Sequence, residues 1–364
     1  MDHFSIISSD SEFGNFCWPS VARLKDGRLI TVCSGHRLAH VCPFGKVVAS
    51  VSDDDGKTWS EPITLIDTPL DDRDAGITPL GDGFVVTTFN NTRAFQIERL
   101  EIKKCSERQE MLIRTRVAEI TDAEEEEYFG SSCYVFDANM KELFHTKLPL
   151  SGPHGMSVMN DGTLMYVGRT AMSACIGGDS KDGIGVIFTK DGKNFSDIKW
   201  IEMPTDKYPA GAFFCEPYGI QLKDGTILVH IRVEKNGGKS FITIQSVSKD
   251  GGETFSIPEP LNIPDTPMYG APPHLYETGD GTVVLSYGYR LPPFGQRARI
   301  SRDGGVSWSR EIVLRDDSIS SDLGYPATVE LRDGSLLTVY YQIPTGKENR
   351  AILATKWNIA EFDV

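Results

Sequence analysis

Long apolar runs are missing from this sequence: no stretch approaches the roughly 20 consecutive apolar residues of a helical membrane span, so membrane insertion is not expected. The start, MDHFSIISSD, lacks a basic segment followed by an apolar one. A cytoplasmic location is therefore expected, or a secreted one if a leader precedes the sequence given. CxxC pairs are also missing. The seven cysteines (Cys17, Cys33, Cys42, Cys105, Cys133, Cys175 and Cys215) are scattered, and their odd number argues against a complete disulfide framework, so they are read as reduced, mostly buried thiols. Positive charge is in deficit, with 37 Lys and Arg against 51 Asp and Glu and a formal net charge of −14. Such a surface repels polyanions and excludes a nucleic-acid partner on charge grounds. An anionic small substrate would need a local cluster of arginines.

What the sequence has is repetition. Six times an apolar stretch runs into an Asp-Gly turn and a second apolar stretch, with turn aspartates at Asp26, Asp82, Asp161, Asp224, Asp280 and Asp333. Four of these units carry a further turn of Ser/Thr, aspartate, glycine and an aromatic: Ser52 to Trp59, Thr189 to Phe195, Ser248 to Phe255 and Ser301 to Trp308. Short β-rich strands repeating at this period cannot bury both faces alone and must stack, which predicts an all-β, six-bladed β-propeller forming one domain over residues 1–364. Phe4 to Ile7 is expected to add the outer strand of the last blade beside Ala351 to Trp357. The motif aspartates accept hydrogen bonds within their own turns, so they punctuate the fold and do not mark a site.

Connectivity assigns the rims. If each Asp-Gly turn joins strands one and two at the bottom, the position eight residues earlier faces the central opening at the top. That position holds Trp18, Asp74, Pro153, Glu216, Pro272 and Tyr325. The same rim receives His36, Arg37, Arg93, Arg169, Arg232 and Arg290 after strand two, and five arginines together suggest an anion-binding funnel. His154 and His274 open blades three and five nearby and are read as sugar contacts in competition with plain structural ones. His36 and His40 are four apart, but Gly35 and Pro43 put them in a loop, so no metal site and no cofactor is expected.

The turn motifs, with CEPYGIQLKDGTILVHIR and GYPATVELRDGSLLTVYY, resemble the sialidase (neuraminidase) superfamily with BNR or Asp-box repeats. The resemblance covers nearly the whole chain. It implies an exo-glycosidase with a tyrosine nucleophile at Tyr325, a glutamate at Glu216 and a carboxylate-binding arginine at Arg232, with a further arginine in blade five at Arg290 or Arg297, between which the sequence does not choose. Two departures stand out. Sialidases open blade one with an arginine two residues before a proline, where this chain has Cys17-Trp18-Pro19. They also carry an acid/base aspartate on the blade-one top loop, yet Gly27 to Val51 contains no Asp or Glu.

A phenol with a pKa near 10 needs an adjacent base, for which Glu216 is the candidate, and a separate acid must protonate the leaving oxygen. Asp74 has the best register for that acid, with Asp72 and His40 as alternatives; an ion pair of Asp74 with Arg73 or Arg93 is the competing reading. Residues 94–130 form a charged insertion in blade two: Asp82 and Asp161 are 79 residues apart, against 53 to 63 between the other turn aspartates. Within it, Thr121 to Glu124 has the form of a capping box before a short helix. The insertion is read as a lid, a dimer contact or a solvated excursion. The sequence thus points to hydrolysis of a terminal acidic sugar that need not be sialic acid. A carbohydrate-binding propeller without catalysis, or a glycosidase or lyase on a uronic acid, are the alternatives; retention of both Tyr325 and Glu216 favours an enzyme.

Overall fold

The computed structural model describes all residues except 103–104, 171–182, 209–211, 236–239, 266–271 and 363–364. Six antiparallel sheets of the same construction follow one another along the chain and close into a six-bladed β-propeller. Blade one is typical, with strands Asn15–Arg23, Leu29–Arg37, Lys46–Ser52 and Ile63–Ile66. Ring closure uses both ends of the chain, as expected: Asp2–Ile7 pairs antiparallel with Ala351–Trp357 and completes blade six.

The turns form for local reasons. At the Asp-Gly turns the aspartate accepts from the backbone two residues on, as Asp26 does from Arg28 N at 3.0 Å and Asp224 from Thr226 N at 2.8 Å. In the longer motif Asp54 accepts from the Thr58 N–H and hydroxyl at 2.8 and 2.6 Å and from Lys57 N at 3.1 Å, which leaves it no capacity for chemistry. The motif aromatics face inward. Trp59, Phe195, Phe255 and Trp308 each pack into the apolar cluster between their own blade and the preceding one.

The core is accordingly divided. Six apolar clusters fill the gaps between successive blades, including the gap between blades six and one. Of the cysteines, five are buried thiols and Cys105 is half-buried, while Cys175 lies outside the described residues.

The insertion folds as three helices, α1 (Arg93–Ile102), α2 (Glu107–Glu119) and α3 (Asp122–Tyr128). Thr121 caps α3 with the expected reciprocal bonds to Glu124, and Ser106 with Gln109 caps α2 in the same way. The helices are not a solvated excursion. Leu100, Ile113 and Val117 pack on Leu38 and Cys42 of the blade-one loop, closing an apolar cluster outside the ring.

Blades two and three approach closely at two glycines. A Cβ on Gly76 would lie 2.0 Å from the Gly155 nitrogen, so backbone meets backbone there. Gly76→Ala is expected to cost at least about 1–3 kcal/mol by overpacking. Gly81→Ala, at a turn where nothing lies within 4 Å, should cost only the left-handed penalty of about 1 kcal/mol. Urea unfolding of both variants checks this; equal losses would remove the packing argument.

Candidate active site

Four of the six inward positions share an unusual backbone. Trp18, Asp74, Glu216 and Tyr325 have φ of 53°, 48°, 47° and 51°, in the left-handed region that non-glycine residues avoid. Each lies in a bulge where the inner strand loses register with its neighbour, between Cys17 and Ser20, Arg73 and Gly76, Cys215 and Tyr218, and Gly324 and Ala327. A bulge re-aims a side chain that strict alternation would send elsewhere. Blades three and five cannot follow, because Pro153 and Pro272 hold φ near −65°. Blade three's inner strand is split into Leu150–Ser151 and Ser157–Val158, and in blade five the strand His274–Glu277 follows Pro272.

The four residues meet at one end of the ring, in a cavity of about 300 Å³. Glu216 is held from two sides. The Tyr325 hydroxyl donates to Glu216 Oε1 at 2.5 Å, and Arg232 Nη1 donates to Oε2. Arg232 also pairs with Glu234, two residues on and on the same face of the strand. Burial tends to raise the Glu216 pKa, but Arg232, Arg290 and the Tyr325 hydroxyl outweigh it and hold the group below the usual glutamate range, so it is ionised at neutral pH. Burial, with the nearby charges of Glu216 and Asp74, pushes the Tyr325 phenol well above 10, so it stays protonated.

Asp74 is the opposite case. It is buried, and its Oδ1 has no hydrogen-bond partner within the protein. Burial drives its pKa up to about 7, with Arg73 opposing and Glu216 assisting. At neutral pH the pocket therefore holds a carboxyl near its titration midpoint, an ionised carboxylate and a neutral phenol.

The arginine rim differs from the funnel expected of the sequence. Arg232 and Arg290 line the cavity, and Arg290 donates to the Leu323 carbonyl at 3.0 and 3.2 Å, two residues before Tyr325. Arg37, Arg93, Arg169 and Arg297 do not line it. Arg37 is fully buried against Asp71 at 2.6 Å. Arg93 starts α1 and pairs with Glu125 and Asp122. Arg169 lies 3.9 Å over the Phe213 ring, and Arg297 pairs with Glu311, so of the two blade-five candidates only Arg290 is at the pocket.

The histidines and the alternative acids are sorted equally clearly. His40 lines the pocket and meets Asp322 at 3.3 Å, whereas His36 packs edge-on to Phe16. His154 and His274 are buried 5.1 Å apart and beside Tyr218, and neither lines the cavity; burial lowers the His154 pKa to about 3 and that of His274 well below 6.5. Asp72 faces Thr68, which bonds both its oxygens at 2.8 Å, and is not at the pocket. Trp18 is almost wholly buried, with the Arg73 guanidinium 4.2 Å from its ring centroid, so it supports the wall.

Several pocket residues escaped the sequence reading. Arg73 was visible only as a possible partner of Asp74; in fact it donates to the His40 carbonyl at 2.7 Å and pairs with Asp71. Glu234 pairs with Arg232 two residues earlier on the same strand, a spacing that the sequence reading left unused. Phe95 and Arg99, four apart on one face of α1, bring the insertion into the pocket wall.

Comparison with known proteins follows the same line. Residues 138–338 match the BNR repeat-like domain family. No curated protein matches the sequence. Among solved structures, a protein of unknown function from Dyadobacter fermentans is similar with a TM-score of 0.73 at 22% identity, over 99% of this chain and 98% of that one. The NanB sialidase from Streptococcus pneumoniae is similar with a TM-score of 0.63 at 15% identity, over 99% and 70%. An alpha-L-arabinofuranosidase from Fusarium graminearum, solved with an iminosugar inhibitor, gives 0.65 at 12%, over 99% and 98%. At such identities the likeness is one of fold.

The opposite shifts of the two carboxyls are measurable without a substrate. The Asp74 carboxyl carbon, followed by NMR, should titrate at about 7, and Glu216→Gln should move that midpoint down, because it removes a negative charge that raises it. A midpoint in the ordinary carboxylate range in the unmodified protein would overturn the assignment.

Proposed function

The chain belongs to the BNR repeat-like domain family of sialidase-like propellers, and from that premise we propose that it is an exo-glycosidase hydrolysing a terminal acidic sugar, with Tyr325 as nucleophile. The observation that carries the reading is the 2.5 Å bond from the Tyr325 hydroxyl to an ionised Glu216, in a pocket that also holds Asp74, whose pKa burial raises to about 7. A neutral phenol suits attack at an anomeric carbon beside a carboxylate, which a second carboxylate would repel.

In the proposed first step Tyr325 Oη bonds to the anomeric carbon as its proton passes to Glu216. The glycosidic bond breaks, and the leaving oxygen takes the Asp74 proton. In the second step the Asp74 carboxylate accepts a proton from water, whose oxygen replaces Tyr325 on the anomeric carbon, and Glu216 returns its proton to the phenolate. Arg232 holds Glu216 ionised before the first step, ready to accept the Tyr325 proton, and Arg290 fixes the backbone leading into Tyr325. Arabinofuranosidases on a similar fold support a neutral-sugar alternative. The arginines at the pocket, Arg73, Arg99, Arg232 and Arg290, favour the acidic one.

A screen of chromogenic sialosides, uronides and neutral glycosides tests the class. On whichever substrate is accepted, Tyr325→Phe is expected to abolish turnover with little change in Tm, since it deletes one oxygen. Near wild-type turnover would remove Tyr325 from the mechanism.

Asp74 donates only while protonated, so kcat/KM should fall as pH rises through about 7. Asp74→Asn should lose about 10²–10⁴-fold on an oligosaccharide but much less on an aryl glycoside with a good leaving group. Equal losses on both would shift the acid role to His40, which also lines the pocket.

Ordinary sialosides should be poor substrates. Arg73, which lines the pocket beside Trp18, has its Nη1 engaged by the His40 carbonyl and Asp71. A lost charge-assisted bond costs about 1.5–3 kcal/mol, or about one to two decades of affinity. Efficient cleavage of a simple aryl sialoside would contradict this.

A further inference from the structure

We propose that the blade-two insertion builds the subsite for the leaving group, with Phe95 packing on a sugar ring and Arg99 pairing with an acidic group that the ring carries. The proposal rests on the hydrolase reading for its orientation, because the side of the pocket that holds the proton donor is the side through which the leaving group departs. Asp74, Phe89, Asn91, Phe95 and Arg99 all come from blade two and its insertion and line one cavity. Tyr325 and Glu216 enter from blades six and four. A leaving oxygen must lie within hydrogen-bond reach of Asp74, so the sugar it carries extends along the blade-two wall.

That wall is held in place. The Arg93 backbone N–H and Nε donate to Glu125 at 2.6 and 2.9 Å, tying the start of α1 to α3. The cluster of Leu100, Ile113 and Val117 with Leu38 and Cys42 fixes the helices to the blade-one loop. On this support Phe95 and Arg99 project from successive turns of α1, with the guanidinium 4.8 Å from the ring centroid. The arrangement offers an aromatic face next to a cation, which suits a sugar bearing a carboxylate or a sulfate.

Charge bookkeeping singles out Arg99. Arg73 is engaged by Asp71, Arg232 by Glu216 and Glu234, and Arg290 by the Leu323 carbonyl. Among the described pocket arginines, only Arg99 makes neither an ion pair nor a hydrogen bond within the protein. It is half-buried, where pairing with a ligand anion is screened less than at an open surface.

The test uses disaccharides sharing the non-reducing sugar that the protein accepts, with glucose, glucuronic acid or glucose 6-sulfate as the leaving unit. The unmodified protein should favour an acidic leaving unit, and the two acidic arms separate carboxylate from sulfate. Arg99→Gln should reduce the acidic-to-neutral ratio of kcat/KM about tenfold, the size of one lost charge-assisted bond. Phe95→Ala should raise KM for all three disaccharides more than for an aryl glycoside. A ratio near one in the unmodified protein, or a ratio unmoved by Arg99→Gln, would overturn the subsite. Calorimetric titration with methyl glucuronide and methyl glucoside reads the same preference without turnover. A protein that prefers the glucuronide through Arg99 but cleaves nothing keeps the subsite and loses the hydrolase reading; loss of that preference in the titration removes the subsite itself.

Discussion

Pocket assembly depends on a backbone conformation that most residues avoid. A side chain on an inner strand of a propeller would, by alternation, point into one or other gap between blades, and those gaps are filled by apolar clusters. At Trp18, Asp74, Glu216 and Tyr325 the strand bulges into the left-handed region and turns the side chain toward the axis instead. Each such residue costs of order 1–3 kcal/mol, which persists only when the surroundings over-determine it. The closed ring supplies that constraint, since each inner strand is clamped between two neighbours. Where the inward position is Pro153 or Pro272 the conformation is unavailable, and the histidines that follow pack under the pocket rather than in it.

The same geometry separates two acids that are buried alike. Glu216 receives Arg232 on one oxygen and Tyr325 on the other, so its charge is answered and its pKa falls. Asp74 keeps an oxygen without a protein partner and lies near the negative charge of Glu216, so it holds its proton to about pH 7. Neutralising Asp74 is the cheaper outcome, because an unpaired buried carboxylate would cost several kcal/mol. Two carboxyls with such different proton affinities, across one cavity, can serve as base and acid at the same pH.

How much of this was readable in the sequence follows from how far each feature reaches. Turns are local, so the Asp-Gly spacing and the motif aromatics located all six blades, and the count back from each turn found the four bulged positions. Arginine partners are not local. Arg37 is claimed by Asp71 and Arg297 by Glu311, pairings that depend on three-dimensional approach, and nothing in the spacing distinguishes them from Arg232 or Arg290. In the insertion, the capping box at Thr121 was legible because it spans four residues. The role of α1 was not, since its inner face is defined by a blade-one loop far away in sequence. The burial of His154 and His274 beside Tyr218 was not legible for a related reason: it depends on contacts between blades, and in blade three the inner strand is split on either side of Pro153.

The blade-one loop and the insertion are best understood together. Gly27 to Val51 carries no carboxyl, so that loop supplies no carboxylic acid, but Leu38 and Cys42 give it an apolar surface. The helices of blade two cover that surface, and in doing so they carry Phe95 and Arg99 to the cavity beside Asp74. The loop also brings His40 to Asp322, which Tyr341 and Arg350 hold from blade six at 2.7 Å each, so blade one is tied to the strand that presents Tyr325. Blade one thus serves as a frame, with Trp18 as a buried platform under Arg73. Acidity and the wall beside it come from blade two. A protein in which one blade contributes packing and its neighbour contributes chemistry can keep the propeller unchanged while altering what the pocket recognises, because the inter-blade clusters that hold the ring do not include the residues that line the wall.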